Sequence, residues 1–200
     1  FARSVPEPVF DTPLDVSTLR APSPMPYQVF GIGLNYRSHA EESGLPIPTS
    51  PLTFTKFTSS IAAPNADIEL GASTVDWEVE LVAVVAAGGR DIPAANAWNH
   101  VAGVAVGQDI SDRTLQFATK PPQFNLGKSR RSYSPLAPWL TDAAAMPDRD
   151  RLHMSMTLNG ETVQDTVTDD LIFDVPAIIE YLSSIVELFP GDVIYTGTPG

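Results

Sequence analysis

The sequence predicts a β-rich α+β fold in which short helices flank the strands. Strand-like segments outnumber helical ones, and they do not alternate with helices as in a parallel α/β fold. Proline contributes 19 of the 200 residues, above its usual share of about 5%, and this favours turns over long helices. Asn159-Gly160 lies between two strand-like runs and is typical of a hairpin turn. A chain of this length can form one domain with its own hydrophobic core.

The first half of the chain contains several short predicted elements. Residues 1–26 are rich in proline and lack periodicity, which predicts an extended lead-in before a folded domain over residues 27–200. One or two helical turns over residues 36–42 are ended by the breaker run Gly44 to Pro48, an arrangement compatible with a mobile flap. The strands predicted in this half span residues 29–33, 52–57 and 68–70.

The second half begins with the strongest predicted strand, residues 75–85, in which apolar and acidic residues alternate before an apolar run. A second buried strand, residues 101–107, leads into the polar residues 108–116, which are predicted to form a short helix. Asp174, followed by a valine and a proline, is typical of a helix start, and this helix is predicted to continue to about residue 188. The remaining strands are predicted over residues 152–158, 161–167 and 193–196.

Composition excludes several classes of protein and site. No cysteine is present, which excludes disulfides, thiolate metal sites and a cysteine nucleophile. With three histidines, any metal is expected to be held mainly by oxygen ligands, which favour hard cations. The formal net charge of −12 predicts no nucleic-acid partner. No apolar run reaches the roughly 18 residues of a membrane helix, so no membrane partner is expected. Since no secretory signal is seen, a cytoplasmic location is expected.

Two glutamates lie on the strongest predicted strand. Glu78 and Glu80 are two residues apart, so their side chains lie on one face of that strand. Two like charges beside an apolar run repel each other and are costly to bury. Three outcomes are open: the face is exposed to solvent, one carboxyl is protonated, or a cation neutralises the pair.

Asp109 follows the second buried strand and is a candidate third ligand. In the helix predicted here, Asp109, Arg113 and Gln116 would share one side. Functional groups tend to collect at strand ends, and the ordinary alternative is a helix cap with an ion pair. If Asp109 meets Glu78 and Glu80, the three carboxylates form a magnesium-type site.

Several short motifs occur in a fixed order between residues 29 and 200. They are Gly33-Leu34-Asn35-Tyr36-Arg37-Ser38-His39-Ala40-Glu41-Glu42, Phe54-Thr55-Lys56, Asp76-Trp77-Glu78-Val79-Glu80-Leu81, Gln108-Asp109-Ile110-Ser111-Asp112-Arg113, Gly127-Lys128-Ser129, Asn159-Gly160-Glu161, Pro190-Gly191-Asp192 and Thr196-Gly197-Thr198-Pro199. In order and spacing the set resembles the fumarylacetoacetate hydrolase family, and specifically its shorter acylpyruvase and fumarylpyruvate hydrolase branch.

The resemblance implies a mixed β-roll with short flanking helices, which forms a homodimer. It also implies a divalent cation held by Glu78, Glu80 and Asp109. Magnesium or manganese is the expected cation, with calcium as an alternative. A catalytic dyad of His39 and Glu42 is implied on a flap that closes over the substrate.

Four further residues are expected around the substrate. The resemblance makes Lys128 a catalytic residue and places Arg113 and Gln116 along the pocket. It also implies that Thr198 contacts the acid end of the substrate. Judged without the resemblance, His39 would be an ordinary surface histidine and Lys128 a solvated loop lysine.

Three positions depart from the family pattern. The family often has alanine at the position of Asp112, an aromatic residue at that of Arg130 and glycine at that of Ala137. Asp112 either adds a carboxylate beside the metal site or points to solvent. Arg130 is expected to add positive charge near the pocket, which bears on substrate preference.

The function predicted from the resemblance is metal-dependent hydrolysis of a small diketo acid of the acylpyruvate or fumarylpyruvate type. A 2-oxo acid would chelate the cation, and His39 would serve as the general base for water attacking the distal carbonyl. Lys128 or Gln116 would stabilise the developing oxyanion, and C–C cleavage would release pyruvate. Oxaloacetate decarboxylation and hydroxymuconate-type isomerisation on the same site are alternatives. A non-catalytic module that binds metal or keto acid and an acidic calcium-binding protein are alternatives of another class.

Overall fold

The computed structural model describes residues 13–71 and 74–200. The strands within these ranges are β1 Val29–Gly33, β2 Leu52–Thr55, β3 Ile61–Ala62, β4 Val75–Asp76, β5 Val79–Val85, β6 Val101–Gln108, β7 Ser111–Asp112, β8 Ser134–Pro135, β9 His153–Leu158, β10 Glu161–Val167 and β11 Val193–Tyr195. The α-helices are α1 Arg37–Glu42, α2 Arg113–Gln116, α3 Phe124–Gly127 and α4 Val175–Ile185. Short 3-10 helices span Val16–Thr18, Thr58–Ser60, Ala94–His100, Ala143–Ala145 and Thr168–Asp170.

A mixed five-stranded sheet forms the centre of the fold, with the strand order β2-β1-β11-β5-β6. Strands β1 and β11 run parallel, and the other neighbours in this sheet are antiparallel. The carboxyl ends of β1, β11 and β6 therefore lie at the same edge as the amino end of β5. Smaller two-stranded sheets are formed by β9 with β10, β3 with β8, and β4 with β7.

Strand β5 is buried along its whole length because both faces of the sheet are covered. Leu81, Ala83 and Val85 belong to a core with α4 and the 3-10 helix at Ala94–His100. Val82 and Val84 belong to a second core on the opposite face, with residues of β1 and β11. Because side chains alternate along a strand, Glu80 lies on the face of Val82 and Val84.

Helix α4 begins at the predicted signal and ends earlier than predicted. The Asp174 side chain accepts a hydrogen bond of 2.8 Å from the backbone N–H of Ala177, which caps the helix. The helix buries Ile178, Ile179 and Leu182 in the core and ends at Ile185. The extended backbone that follows Ile185 stops it about one turn before the predicted end.

The predicted hairpin is confirmed, and two strand predictions need correction. Asn159 and Gly160 have φ values of 53° and 88° between β9 and β10, the left-handed geometry that this dipeptide favours. The strand predicted over residues 68–70 does not form. The strand predicted over residues 75–85 is interrupted at Trp77-Glu78, because β4 pairs with β7 while β5 pairs with β6.

The helix predicted over residues 108–116 is also wrong for most of its length. Strand β6 continues to Gln108, and the backbone N–H of Asp109 then bonds to the Glu78 carbonyl at 2.9 Å. Only Arg113 to Gln116 form a helical turn, so Asp109 does not share a helix face with them. Long-range pairing has overridden the local polar pattern.

The lead-in predicted over residues 1–26 lies partly outside the described residues, since residues 1–12 are not among them. Residues 13–26 contain a 3-10 turn at Val16–Thr18, where the Asp15 side chain accepts a hydrogen bond from Ser17. Within the described ranges, every helix is too short or too polar to span a membrane.

Candidate active site

Three carboxylates converge where β5 begins and β6 ends. Oxygen atoms of Glu78, Glu80 and Asp109 all lie within 4.8 Å of one another, and all three residues are buried. Glu80 is 1% exposed and Asp109 is fully buried, which rules out the solvent-exposed alternative. The period of two along the strand places Glu78 and Glu80 on one side, and the turn after β6 brings in Asp109. We call these three residues the carboxylate triad.

Basic side chains neutralise two members of the carboxylate triad. Lys128 Nζ donates to Glu78 Oε2 at 2.6 Å and to Asp109 Oδ2 at 2.7 Å. Lys56 Nζ, which is also buried, forms an ion pair with Asp109. Arg113 Nη2 lies 2.7 Å from Glu78 Oε1. Burial opposes charge on Lys128, but the neighbouring carboxylates raise its pKa above the ordinary value.

Glu80 lacks a basic partner among the described residues. Its Oε2 accepts a hydrogen bond of 2.7 Å from the backbone N–H of Gly197. Burial and the charges of Asp109 and Glu78 raise the pKa of Glu80 well above its usual range. Burial would likewise raise the pKa of Asp109, but Lys56 and Lys128 together hold it below the ordinary value. Glu80 is thus the carboxylate of the triad that has no basic partner among the described residues, and the oxygen-only donor set of the triad fits a hard divalent cation such as magnesium or manganese.

A cleft of about 250 Å³ opens onto the carboxylate triad, and we call it the main cleft. It is lined by Ile32, Gly33, Leu34, His39, Leu45, Leu52, Phe54, Glu78, Glu80, Arg113, Gln116, Phe117, Phe124, Lys128 and Thr198. Seven of the nine residues expected from the sequence line this cleft, while Asp109 lies buried beside it and Glu42 lies outside it. Its charged lining residues are Glu78, Glu80, Arg113 and Lys128, and its apolar lining includes three leucines and three phenylalanines.

His39 and Glu42 are close but do not form a hydrogen bond. His39 Nδ1 lies 3.9 Å from Glu42 Oε2, beyond hydrogen-bond distance, and it has no partner among the described residues. The Glu42 side chain is 71% exposed. Glu42 lines a neighbouring cleft of about 490 Å³, which shares His39, Glu78, Arg113 and Thr198 with the main cleft. The structure therefore places the two residues together without the hydrogen bond expected of a formed dyad.

The helical turn α2 presents Arg113 and Gln116 to the main cleft. Arg113 Nη1 donates to Gln116 Oε1 at 2.9 Å, which fixes the amide so that its nitrogen stays available. Arg113 also donates to Asp76 Oδ2, from Nε at 3.1 Å and from Nη2 at 2.8 Å. The guanidinium is thus held between Asp76 and Glu78 and serves to orient the carboxylate triad.

Gln164 fixes the loop that carries Thr198, a role that no pattern in the sequence indicates. Its Nε2 donates to Thr198 Oγ1 and to the Pro199 carbonyl, both at 2.9 Å. Its Oε1 accepts from the backbone N–H of Val79 at 2.9 Å. Thr198 Oγ1 in turn donates to the Val79 carbonyl at 2.9 Å. The loop after β11 is therefore tied to the start of β5, beside the carboxylate triad.

Gln164→Leu is expected to loosen this loop without touching the carboxylate triad. The change leaves the Val79 N–H unpaired, so the free energy of unfolding should fall by about 1–3 kcal/mol. The KM for a diketo acid should rise several-fold, because Thr198 loses one of its two side-chain hydrogen bonds and the Pro199 carbonyl loses its donor. Urea denaturation and steady-state kinetics measure these two effects. Thr162→Val, at an exposed position of the same strand, is the matched control, and equal behaviour of the two variants would contradict the role of Gln164.

Lys56 is a second residue that the sequence reasoning did not assign to the site. It is 3% exposed, pairs with Asp109 and donates to the Tyr133 carbonyl at 3.1 Å. The sequence does contain an indication that Lys56 is buried. Phe54 and Lys56 are two residues apart, so they face the same side of an extended chain. A lysine that faces inward beside a buried phenylalanine requires a counter-ion.

Lys56→Met is expected to destabilise the metal-free protein by about 3–5 kcal/mol, because Asp109 loses a buried counter-ion. Added Mn²⁺ should restore part of this loss and so raise Tm more in the variant than in the wild type. Differential scanning calorimetry with and without Mn²⁺ measures both effects. Lys120→Met, at an exposed lysine, is the control and should change stability by less than about 0.5 kcal/mol. A Lys56→Met variant as stable as this control would show that the buried pair is unimportant.

The departures at Asp112 and Arg130 compensate each other, which corrects the expectations for both. Asp112 is 1% exposed, so it does not point to solvent. Its Oδ2 accepts from Arg130 Nε at 2.8 Å, and its Oδ1 accepts from the Leu115 N–H at 3.0 Å. Neither residue lines the main cleft, and their charges cancel. Ala137, the third departure, packs against the core that contains Val82.

Comparison with known proteins identifies the family of the chain. The profile of the fumarylacetoacetate (FAA) hydrolase C-terminal domain matches residues 28–200. A Burkholderia lata protein named only as a hydrolase is 43% identical over 171 residues, which cover 84% of this chain. The chain spans 60% of the length of that relative.

Solved structures share both sequence and fold with the chain. An HpcE protein from Mycobacterium smegmatis is 54% identical with a TM-score of 0.88, over 90% of this chain and 65% of that one. A 5-carboxymethyl-2-hydroxymuconate delta-isomerase from the same organism is 34% identical with a TM-score of 0.80, over 90% of this chain and 70% of that one. Fumarylpyruvate hydrolase from Pseudomonas aeruginosa, in complex with Mn²⁺ and pyruvate, is 32% identical with a TM-score of 0.78, over 86% and 77%. These likenesses confirm the strand-rich mixed α+β fold, and the chain belongs to the fumarylacetoacetate hydrolase family.

Proposed function

We propose that this chain carries the active site of a metal-dependent hydrolase that cleaves a C–C bond of a small diketo acid and releases pyruvate. The observation that carries the proposal is the buried carboxylate triad, which opens into the same cleft as His39 and Lys128. The Pseudomonas aeruginosa relative, a fumarylpyruvate hydrolase described with Mn²⁺ and pyruvate, supports the same chemistry. Acylpyruvates and fumarylpyruvate are the substrate types in question.

The carboxylate triad would hold Mg²⁺ or Mn²⁺ through oxygen atoms of Glu78, Glu80 and Asp109. When bound, the cation supplies a Lewis acid that polarises the 2-oxo group of the substrate. Lys56 and Lys128 hold the pKa of Asp109 below its ordinary value, which favours the ionised state that binds a cation. The remaining charge on the triad is then shared with the cation instead of being buried alone.

The side chains of the main cleft supply the proton transfers. His39, whose Nδ1 has no partner, takes a proton from the water that attacks the distal C4 carbonyl. Lys128 uses two of its three N–H groups on Glu78 and Asp109, which leaves one for the developing oxyanion. The C3–C4 bond then breaks, its electron pair stays on C3, and protonation there yields pyruvate.

Isomerisation is a second candidate on the same site. It needs proton transfer at carbon but no attacking water, so it does not require the His39–Glu42 hydrogen bond that is absent here. The Mycobacterium smegmatis isomerase is as similar to the chain as the Pseudomonas aeruginosa hydrolase. Decarboxylation of oxaloacetate would also use the same cation and the same three carboxylates.

One assay separates these activities. Metal-stripped protein is incubated with acetylpyruvate, fumarylpyruvate, oxaloacetate or 5-carboxymethyl-2-hydroxymuconate, with and without Mg²⁺ or Mn²⁺, and both pyruvate release and the absorbance of the hydroxymuconate are followed. Metal-dependent pyruvate release from a diketo acid is the expected result. Pyruvate from oxaloacetate alone would make the chain a decarboxylase, and loss of a hydroxymuconate absorbance without pyruvate would make it an isomerase. Mn²⁺ binding with no turnover of any substrate would leave a non-catalytic binding module.

A further inference from the structure

We propose, on the basis of the function proposed above, that the distal group of the substrate is apolar. The chain would then act on acylpyruvates with an alkyl or aryl acyl group and discriminate against diketo acids that carry a second carboxylate. Two observations support this: the apolar wall of the main cleft and the engagement of its basic side chains.

The wall of the main cleft opposite the carboxylate triad is apolar. It consists of Leu34, Leu45, Leu52, Phe54, Phe117 and Phe124. Phe54 and Phe124 pack edge to face with ring centroids 5.6 Å apart. Phe54 is also held against β1, since a Cβ atom at Gly31 would lie 2.3 Å from its ring. Phe54 and Phe124 are therefore packed in place, and the wall that they form with the neighbouring apolar side chains suits a methyl, alkyl or phenyl group.

The lysine and arginine side chains of the main cleft already form ion pairs with carboxylates of the protein. Lys128 pairs with Glu78 and Asp109, and Arg113 is held by Asp76 and Glu78. Lys128 Nζ also lies 5.1 Å from the Phe54 ring centroid, where the charged end of the cleft meets the apolar wall. Lys128 and Arg113 are the only lysine and arginine among the described residues that line the main cleft, and both are paired with carboxylates. A distal carboxylate would therefore lie against apolar side chains.

Two unreactive 2-oxo acids test the proposal by binding alone. The acids 2-oxohexanoate and 2-oxohexanedioate differ only in a terminal methyl or carboxylate, and both lack the C4 carbonyl that is cleaved. Isothermal titration calorimetry of the Mn²⁺-loaded protein should give a dissociation constant about tenfold or more lower for 2-oxohexanoate. Leu52→Arg, at a half-exposed position of the apolar wall, should shift this preference toward the dicarboxylate by about tenfold or more.

Leu126→Arg is the matched control for Leu52→Arg. Leu126→Arg places the same charge at an exposed leucine that does not line the main cleft, so it should leave the preference unchanged. Equal or tighter binding of 2-oxohexanedioate by the wild type would overturn the apolar inference and leave the 2-oxo acid site standing. Binding of neither acid in the presence of Mn²⁺ would overturn the proposed function and this inference with it.

Discussion

Glu80→Gln is expected to lower Mn²⁺ affinity by about a hundredfold or more, equivalent to ~2.7 kcal/mol, and to abolish measurable cleavage of a diketo acid. Glu80 is the member of the carboxylate triad without a basic partner, so its charge is the one that a cation would neutralise most directly. Glutamine keeps the shape of the side chain and can still accept the hydrogen bond from Gly197. Calorimetric titration with Mn²⁺ and pyruvate release measure the two losses.

The same variant should be at least as stable as the wild type when no metal is present. Replacement removes a buried carboxylate that lies within 4.8 Å of two others. The metal-free Tm should therefore stay constant or rise, whereas Mn²⁺ should no longer raise it. Glu161→Gln, at an exposed glutamate of β10, is the control and should bind Mn²⁺ like the wild type. A Glu80→Gln protein with unchanged Mn²⁺ affinity would show that the triad is not the metal site.

His39→Ala should lower kcat by about 10²–10⁴-fold, the usual contribution of a general acid–base group. Mn²⁺ affinity should stay within about twofold of the wild type, because His39 lines the main cleft without contacting the carboxylate triad. Steady-state kinetics and Mn²⁺ titration on one preparation separate the two effects. His153→Ala, at an exposed histidine paired with Asp165 on the hairpin, serves as the control and should retain full activity.

A variant of Glu42 tests whether this residue assists His39 in catalysis. With a side chain 71% exposed and 3.9 Å from His39, Glu42 should contribute less than His39, so Glu42→Gln should cost less in kcat than His39→Ala. A loss as large as that of His39→Ala would mean that the two residues come into hydrogen-bond contact during turnover. Full activity of His39→Ala would instead remove the general base from the proposed mechanism.

Local signals in the sequence were sufficient for part of the fold and part of the site. The hairpin at Asn159-Gly160 and the helix start at Asp174 were predictable because each depends on neighbouring residues. The placement of Glu78 and Glu80 on one strand face followed from the period of two. Their meeting with Asp109 was expected from the family resemblance and not from any local pattern.

The remaining features depend on partners that are distant in sequence. The strand predicted over residues 75–85 breaks at Trp77-Glu78 because the chain changes its pairing partner there from β7 to β6. The alternation of apolar and polar residues does not predict such a change of partner. Gln164 lies on a hairpin whose alternation gives no reason to expect contact with Thr198. Asp112 and Arg130 were each assigned a separate effect, and only the folded chain shows that they form a pair.

The parallel pairing of β1 with β11 has a consequence for how the protein folds. It joins Val29 to Val193, so the centre of the main sheet is closed by residues from opposite ends of the described chain. Contacts of such high sequence separation slow folding, because a long loop must be ordered before they form. During synthesis β5 and β6 can pair early, but the gap between β1 and β5 is filled only when β11 has emerged. The ligand carboxylates at the start of β5 therefore become enclosed late, and a cation present at that moment would favour closure of the sheet.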